Sequence, residues 1–168
     1  MNTETRRDAR SHAEVHAGGG RPVMLATLGV PFVDDAVEVA VDGAVETGQP
    51  LIVVNVTRLE PLSLSVMMGY DALEEFTPEV SASTRRPAEI AAGFGLEVER
   101  LRVRSPRPVT ALLELVRERG PGLLVFGPDP RKLSRRRFRK AVEALRANAS
   151  CLVWLPEGPD WQGRSSVG

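Results

Sequence analysis

Little in this chain can carry covalent or metal chemistry. It has one cysteine, Cys151, in 168 residues, so no intramolecular disulfide can form. It therefore reads as a protein of a reducing, cytoplasmic compartment. Its two histidines, His12 and His16, both fall in the first twenty residues. One Cys and two His cannot assemble a structural zinc site. A Ser–His or Cys–His catalytic pair would have to recruit an N-terminal tail, so an enzyme with covalent chemistry is not expected. His12 and His16 would share a helix face if their segment were helical, but no third ligand lies near, and they read as solvated. No apolar run approaches the roughly 18 residues of a membrane span, and Met1–Asp8 has no apolar stretch behind its arginines that would make it a signal peptide. Net charge is absent too, with 22 Lys and Arg against 22 Asp and Glu, which excludes a simple polycation that coats nucleic acid.

What is present is ordinary globular composition, 42% apolar and 26% charged, enough for one domain with its own core. Residues 1–20 are polar and end in Gly18-Gly19-Gly20; residues 157–168 are rich in Gly, Pro and Ser. Both read as flexible tails around one domain at 21–156, with Trp161 free to dock or not.

The body alternates strand and helix. Residues 22–28 are a short apolar run suited to a buried strand. Val37, Ala40, Val41, Ala44 and Val45 follow at helical spacing, with Asp34, Asp35, Glu38, Asp42 and Glu46 on the opposite face. Asp34 is the expected N-cap, and Gly48 followed by Pro50 ends the helix. Residues 51–56 form a second buried strand. Residues 58–78, with Pro61, Met67, Met68 and Gly69, read as a long irregular segment. A helix is expected from about Ser81 to Gly93, then an alternating edge strand at 97–103. Pro108 opens a helix with a stripe of Val109, Leu112, Leu113 and Val116, stopped at Gly120. Residues 123–126 are a buried strand, a last helix carries Ala141, Val142 and Leu145, and Cys151–Leu155 is a last strand. This order implies an α/β fold: an open, five-stranded, mostly parallel sheet with helices on both faces, of Rossmann-like type. Ligands of such sheets bind outside the carboxyl ends of the strands, which directs attention to the loops after residues 28, 56 and 127.

Charge is segregated along the chain. Residues 22–84 hold ten acids and one base, Arg58; residues 85–146 hold sixteen bases and seven acids. Arg131–Lys140 alone carries seven bases in ten residues. One reading is a solvated basic loop facing the acidic half of the same molecule or of a partner subunit. Another is an anion site, because cations crowding a helix that starts near Ser134 or Lys140 oppose its dipole by about 0.3–1 kcal/mol each unless an anion sits there. Nucleic acid fits less well, since Phe138 is the one aromatic among these bases and stacking surfaces use more. Ser134 suits either an N-cap or a phosphorylation site.

The stretch from Leu123-Leu-Val-Phe-Gly-Pro-Asp-Pro-Arg through Ala141-Val-Glu-Ala-Leu-Arg-Ala-Asn-Ala-Ser-Cys-Leu-Val-Trp-Leu155 resembles the end of a universal stress protein, and the element order extends the resemblance over residues 22–156. In that family a strand ends in Gly and opens a Gly-x2-Gly-x9-Gly-Ser/Thr phosphate loop. Gly127 matches the first glycine. Pro130 stands at the second, Lys140 at the third and Ala141 at the hydroxyl position. The family's ribose-binding Asp after the first strand corresponds to Leu28, and Val56 corresponds to a position that contacts adenine through its backbone. Pro130 has no amide to offer and Leu28 accepts nothing, so the resemblance implies a member that has lost ordinary ATP binding and needs no cofactor. If an anion such as ATP, ADP or phosphate is held, the expected contacts are Thr27, Val56, Gly127, Arg131, Lys132, Arg135 and Lys140. The resemblance further implies a homodimer formed through the last strand, Cys151, Leu152, Val153 and Trp154, and work through protein contacts with an unnamed partner. Neither a membrane nor nucleic acid is expected as partner. Cys151 reads as a small core residue.

Overall fold

The computed structural model describes residues 20–59 and 78–156. Strands and helices alternate as β1 (Val23–Thr27), α1 (Asp34–Thr47), β2 (Leu51–Arg58), α2 (Pro78–Gly93), β3 (Val98–Ser105), α3 (Pro108–Arg119), β4 (Leu123–Phe126), α4 (Arg135–Asn148) and β5 (Leu152–Trp154). The strands form one sheet in the order β3-β2-β1-β4-β5, and all four neighbouring pairs are parallel. The open five-stranded sheet expected from the sequence is therefore the one observed. Most of the irregular segment, with Pro61, Met67, Met68 and Gly69, lies outside the described residues, as do His12, His16 and Trp161.

Near-continuous apolar strands make sense here because β1, β2 and β4 are covered on both faces. Met24, Ala26, Ile52, Val54, Val56, Leu124 and Phe126 point to one side, where Leu112 and Val116 of α3 and Phe138, Ala141 and Leu145 of α4 meet them. Val23, Leu25, Leu51, Val53 and Val125 point to the other, against Ala36, Val37, Ala40, Val41 and Ala44 of α1 and Ala91 of α2. Each fully buried Val, Leu, Ile or Phe contributes about 1.5–3 kcal/mol relative to exposure. Small alanines on α1 let that helix lie close to the sheet.

Several element ends differ from the sequence reading, including β1, which spans Val23–Thr27 within the expected 22–28, and β3, which spans Val98–Ser105 where 97–103 was expected. Asp34 is not the N-cap of α1. Val33 is, without a side-chain cap, and Asp34 is the first residue of the helix; its carboxylate accepts from Arg86 Nη1 at 3.2 Å. Asp34 still favours the helix by sitting at the positive end of its dipole. Strand β2 runs two residues past Val56, since Arg58 continues the ladder opposite Ser105 of β3. Helix α2 begins at Pro78 rather than near Ser81. Strand β5 is shorter, so Cys151 precedes it and is only half-buried. The left-handed glycine that ends α1, Gly48 at φ 64°, stands where the sequence placed it. Of the two starts open for the last helix, Ser134 is correct: its Oγ caps the helix by accepting from the Arg137 amide at 3.3 Å.

Both edges carry side chains the strand positions explain. On β3, Leu101 and Val103 pack on one face while Arg100, Arg102 and Arg104 take the other and are exposed, with Arg100 donating to Thr84 of α2 at 3.0 Å; the charged edge resists pairing with another sheet. The opposite edge, β5, is short and apolar, with Leu152 75% exposed.

Candidate functional site

Strands β2 and β4 lie on opposite sides of β1, so the chain reverses its order across the sheet between β1 and β4. The crevice of such a sheet opens there, outside the carboxyl ends of the strands. It is built from the segment after β1, the end of β2 and the turn between β4 and α4.

The segment after β1 is tied down from within. Thr27 is fully buried and its hydroxyl donates to the Val30 carbonyl at 2.7 Å. Gly29 takes φ 72°, and its amide donates to Asn55 Oδ1 at 2.8 Å. The Nδ2 of Asn55 in turn donates to Ser83 Oγ of α2 at 3.2 Å. Asn55 thus joins the end of β2 to the segment after β1 and to α2. Leu28, which the resemblance aligns with a ribose-binding acid, is 4% exposed and belongs to the core cluster that includes Phe126, Leu133 and Phe138. Val56 is buried one residue beyond the last β1–β2 pair, Thr27 with Asn55.

The two sides of the crevice are then bridged to each other. Phe32 and Pro128 form an isolated antiparallel bridge: the Val33 amide donates to the Gly127 carbonyl at 3.0 Å and the Asp129 amide to the Pro31 carbonyl at 2.8 Å. Gly127 is where this bridge meets helix α1. A Cβ added to it would collide with the Cβ of Ala36, so the glycine that matches a phosphate-loop position is required by helix packing alone.

The turn after Gly127 consumes its own donors. Pro128 and Pro130 have no amide hydrogen. The amides of Gly127, Lys132 and Leu133 donate to the carbonyls of Ala26, Asp129 and Asp129 at 3.0, 3.0 and 3.1 Å. That of Arg131 donates to the Asp129 carboxylate at 3.0 Å, and that of Asp129 is held by Pro31. Every amide from Gly127 to Leu133 is therefore engaged inside the protein. Asp129 is the organising residue. Its side chain is 7% exposed and pairs with the exposed Arg131 guanidinium, which donates one bond of 3.0 Å to each carboxylate oxygen. The Arg131 side chain holds the Asp129 carboxyl below its ordinary value of 3.8, against the opposing effect of burial. A lowered carboxyl gives stability above its unfolded value that is lost as pH falls through the folded one. Asp129→Asn is therefore expected to be less stable than wild type near neutral pH, with the difference closing as pH falls below 3.8. Urea unfolding across that range checks it; a gap independent of pH would contradict it.

The other expected contacts scatter. Lys132 and Arg135 are exposed at the turn and the start of α4, Lys140 is exposed in the second turn of that helix, and Ala141 is buried against the sheet. Cys151, Val153 and Trp154 are half-buried around β5, and burial pushes the Cys151 thiol up, away from the reactive thiolate. Asn55 and Asp129 were not foreseen as organising residues. Their signals were faint: a single amide inside Leu-Ile-Val-Val-Asn-Val, and one acid between two prolines ahead of a basic run. Among the described residues no group of three His, Cys, Asp or Glu could hold a metal, and no helix is long and apolar enough to cross a membrane.

A family model described as the universal stress protein family matches residues 20–155. The fold is similar to that of a universal stress protein from Archaeoglobus fulgidus, at 19% identity and a TM-score of 0.58, covering 82% of this chain and 98% of that one. A second structure of the universal stress protein from that organism, in complex with dAMP, matches at 18% identity and the same TM-score, 0.58, again covering 82% and 98%. Universal stress protein UspA from Lactobacillus plantarum matches at 13% identity and a TM-score of 0.60, covering 83% of this chain and all of that one. No curated protein matches by sequence.

Proposed function

We propose that this chain, which belongs to the universal stress protein family, is a regulatory member that does not bind ATP in the ordinary way, catalyses no reaction of its own, and acts in the cytoplasm as a homodimer through protein contacts. One observation carries the reading: the turn from Gly127 to Leu133, where a phosphate loop would begin, engages all of its amides internally, two of its residues are prolines, and a buried carboxylate sits inside it. A phosphate loop works by aiming unpartnered amides at the anion. Here the donors already have acceptors, and Asp129 adds negative charge where phosphate needs the opposite. The buried Leu28 supports the same reading from the other side of the crevice, since it offers no acceptor to a ribose hydroxyl. The exposed apolar β5 edge, Leu152 to Trp154 with Cys151 before it, is the proposed homodimer contact, because an uncovered apolar edge invites pairing.

A second reading has its own motive. The structure from Archaeoglobus fulgidus with dAMP makes nucleotide the ligand class to test, and Arg131, Lys132, Arg135 and Lys140 could hold ATP, ADP or phosphate by side-chain charge instead of amides, with Thr27, Val56 and Gly127 lining the crevice. Calorimetric titration and thermal shift with ATP, ADP, AMP and phosphate separate the two. A ligand at about a hundred times its Kd adds about 2.7 kcal/mol of stability, so a working site would raise the melting temperature by degrees. No heat and no shift are expected; saturable binding to any of the four would favour the second reading.

A further inference from the structure

Two helices leave charge unanswered on their outer faces, and the charges are opposite. On α1, Asp35, Glu38, Asp42 and Glu46 are exposed and, among the described residues, make no ion pair; Asp34 beside them already pairs with Arg86 at 3.2 Å. They recur every three or four residues, so they form one acidic stripe about 16 Å long at 1.5 Å per residue. On α4, Arg136, Arg137, Arg139 and Lys140 are exposed and likewise have no acid partner among the described residues, while Phe138, Ala141, Val142 and Leu145 hold the helix to the sheet. Glu143 is the one acid on that helix. The cations lie in its first turns, where they oppose the positive end of the helix dipole, so the isolated molecule carries an electrostatic conflict that an anionic neighbour would relieve.

Within one molecule these stripes cannot meet. Helix α1 packs on the face of the sheet that carries Leu25 and Val53, and α4 packs on the face that carries Met24 and Val54. The sheet stands between them, and their exposed sides look in opposite directions. We propose that the acidic stripe of α1 docks on the basic stripe of α4 in a second copy of this chain. Charge complementarity selects this occupant: each copy supplies both the missing anion and the missing cation. Because the joined surfaces are different and lie on opposite faces, the contact is head-to-tail, and it propagates into chains of molecules instead of closing as a dimer. It uses neither the β5 edge nor the crevice, and it stands whether or not nucleotide binds.

Sedimentation of the full chain tests it. At about 0.01 M salt charge acts over roughly 30 Å, and at about 1 M over only about 3 Å. Average mass is expected to rise with protein concentration at low salt and to fall at high salt to a fixed unit, which for a β5-edge dimer survives. Glu38→Lys with Asp42→Lys, or Arg136→Glu with Arg139→Glu, should each abolish the rise while keeping the fold, since all four positions are exposed, and the second should melt no lower than wild type because it removes cations from the start of α4. Mixing the two double variants is the sharper test. The first keeps its basic stripe and the second its acidic stripe. Head-to-tail association is then expected in the mixture and in neither variant alone. Wild type whose mass is independent of salt, or a mixture that behaves as the sum of its components, would overturn the proposal. Retardation of a duplex DNA or RNA by wild type that does not self-associate would overturn it in favour of a nucleic-acid surface.

Discussion

Leu28→Asp is expected to lose roughly 4 kcal/mol or more of stability, a large share of the 5–15 kcal/mol typical of a domain. The change would restore the type of side chain that nucleotide-binding relatives carry after the first strand, yet here it should damage the fold. Leu28 is 4% exposed and shares the core cluster with Phe126, Leu133 and Phe138. Truncating such a leucine costs about 2–5 kcal/mol through lost burial and the cavity left behind, and a carboxyl in the same place adds desolvation with no donor supplied to meet it. Leu28→Met keeps volume and apolarity and should cost less than about 1.5 kcal/mol. Equilibrium urea unfolding of the three proteins provides the comparison. An Asp variant as stable as wild type would mean that position 28 opens toward the crevice and not into the core.

Gly127→Ala is expected to destabilise by about 1–3 kcal/mol, the range for overpacking a close contact. Gly127 does not have a positive φ, so its backbone would accept alanine. The cost is steric, between the new methyl and Ala36 on the first turn of α1. That makes the effect separable. Ala36→Gly removes the opposing Cβ and by itself costs about 1 kcal/mol as a helix glycine. Combined with Gly127→Ala it should recover stability, so that the double variant is better than the sum of the singles by a coupling of about 1 kcal/mol or more. Additive losses would show that Gly127 is there for some reason other than its approach to α1. The result matters for function, because a glycine explained by packing is no sign of a surviving phosphate loop.

Legibility of the fold and of the site differed for a physical reason. Buried runs such as Leu51–Val56 and the helical stripe at Val37, Ala40, Val41 and Ala44 are local patterns, and they led directly to the parallel sheet, its two covered faces and its charged edge at β3. Gly48 and Gly120 marked helix ends because left-handed backbone favours one residue type. The site depends on contacts between distant segments, which leave no period in the sequence. Asn55 meets Gly29 across 26 positions and Ser83 across 28. Asp34 was misread as a cap because its partner, Arg86, is 52 positions away. The closing of the crevice by Phe32 and Pro128 could not be read from either residue. The damaged phosphate motif was visible; that every amide from Gly127 to Leu133 is engaged, three of them by Asp129, was not. The balanced net charge hid two opposed helix faces, and only their placement on opposite sides of the sheet gives that balance a consequence.

The most direct test of the central claim is to purify the protein without added nucleotide, denature it, and separate what is released by chromatography. A universal stress protein whose Leu28 is buried in the core and whose turn is closed on Asp129 should release no adenine nucleotide above the buffer background. Release of ATP, ADP or AMP in stoichiometric amount would contradict the account, and would place the anion on the Arg131–Lys140 side chains after all.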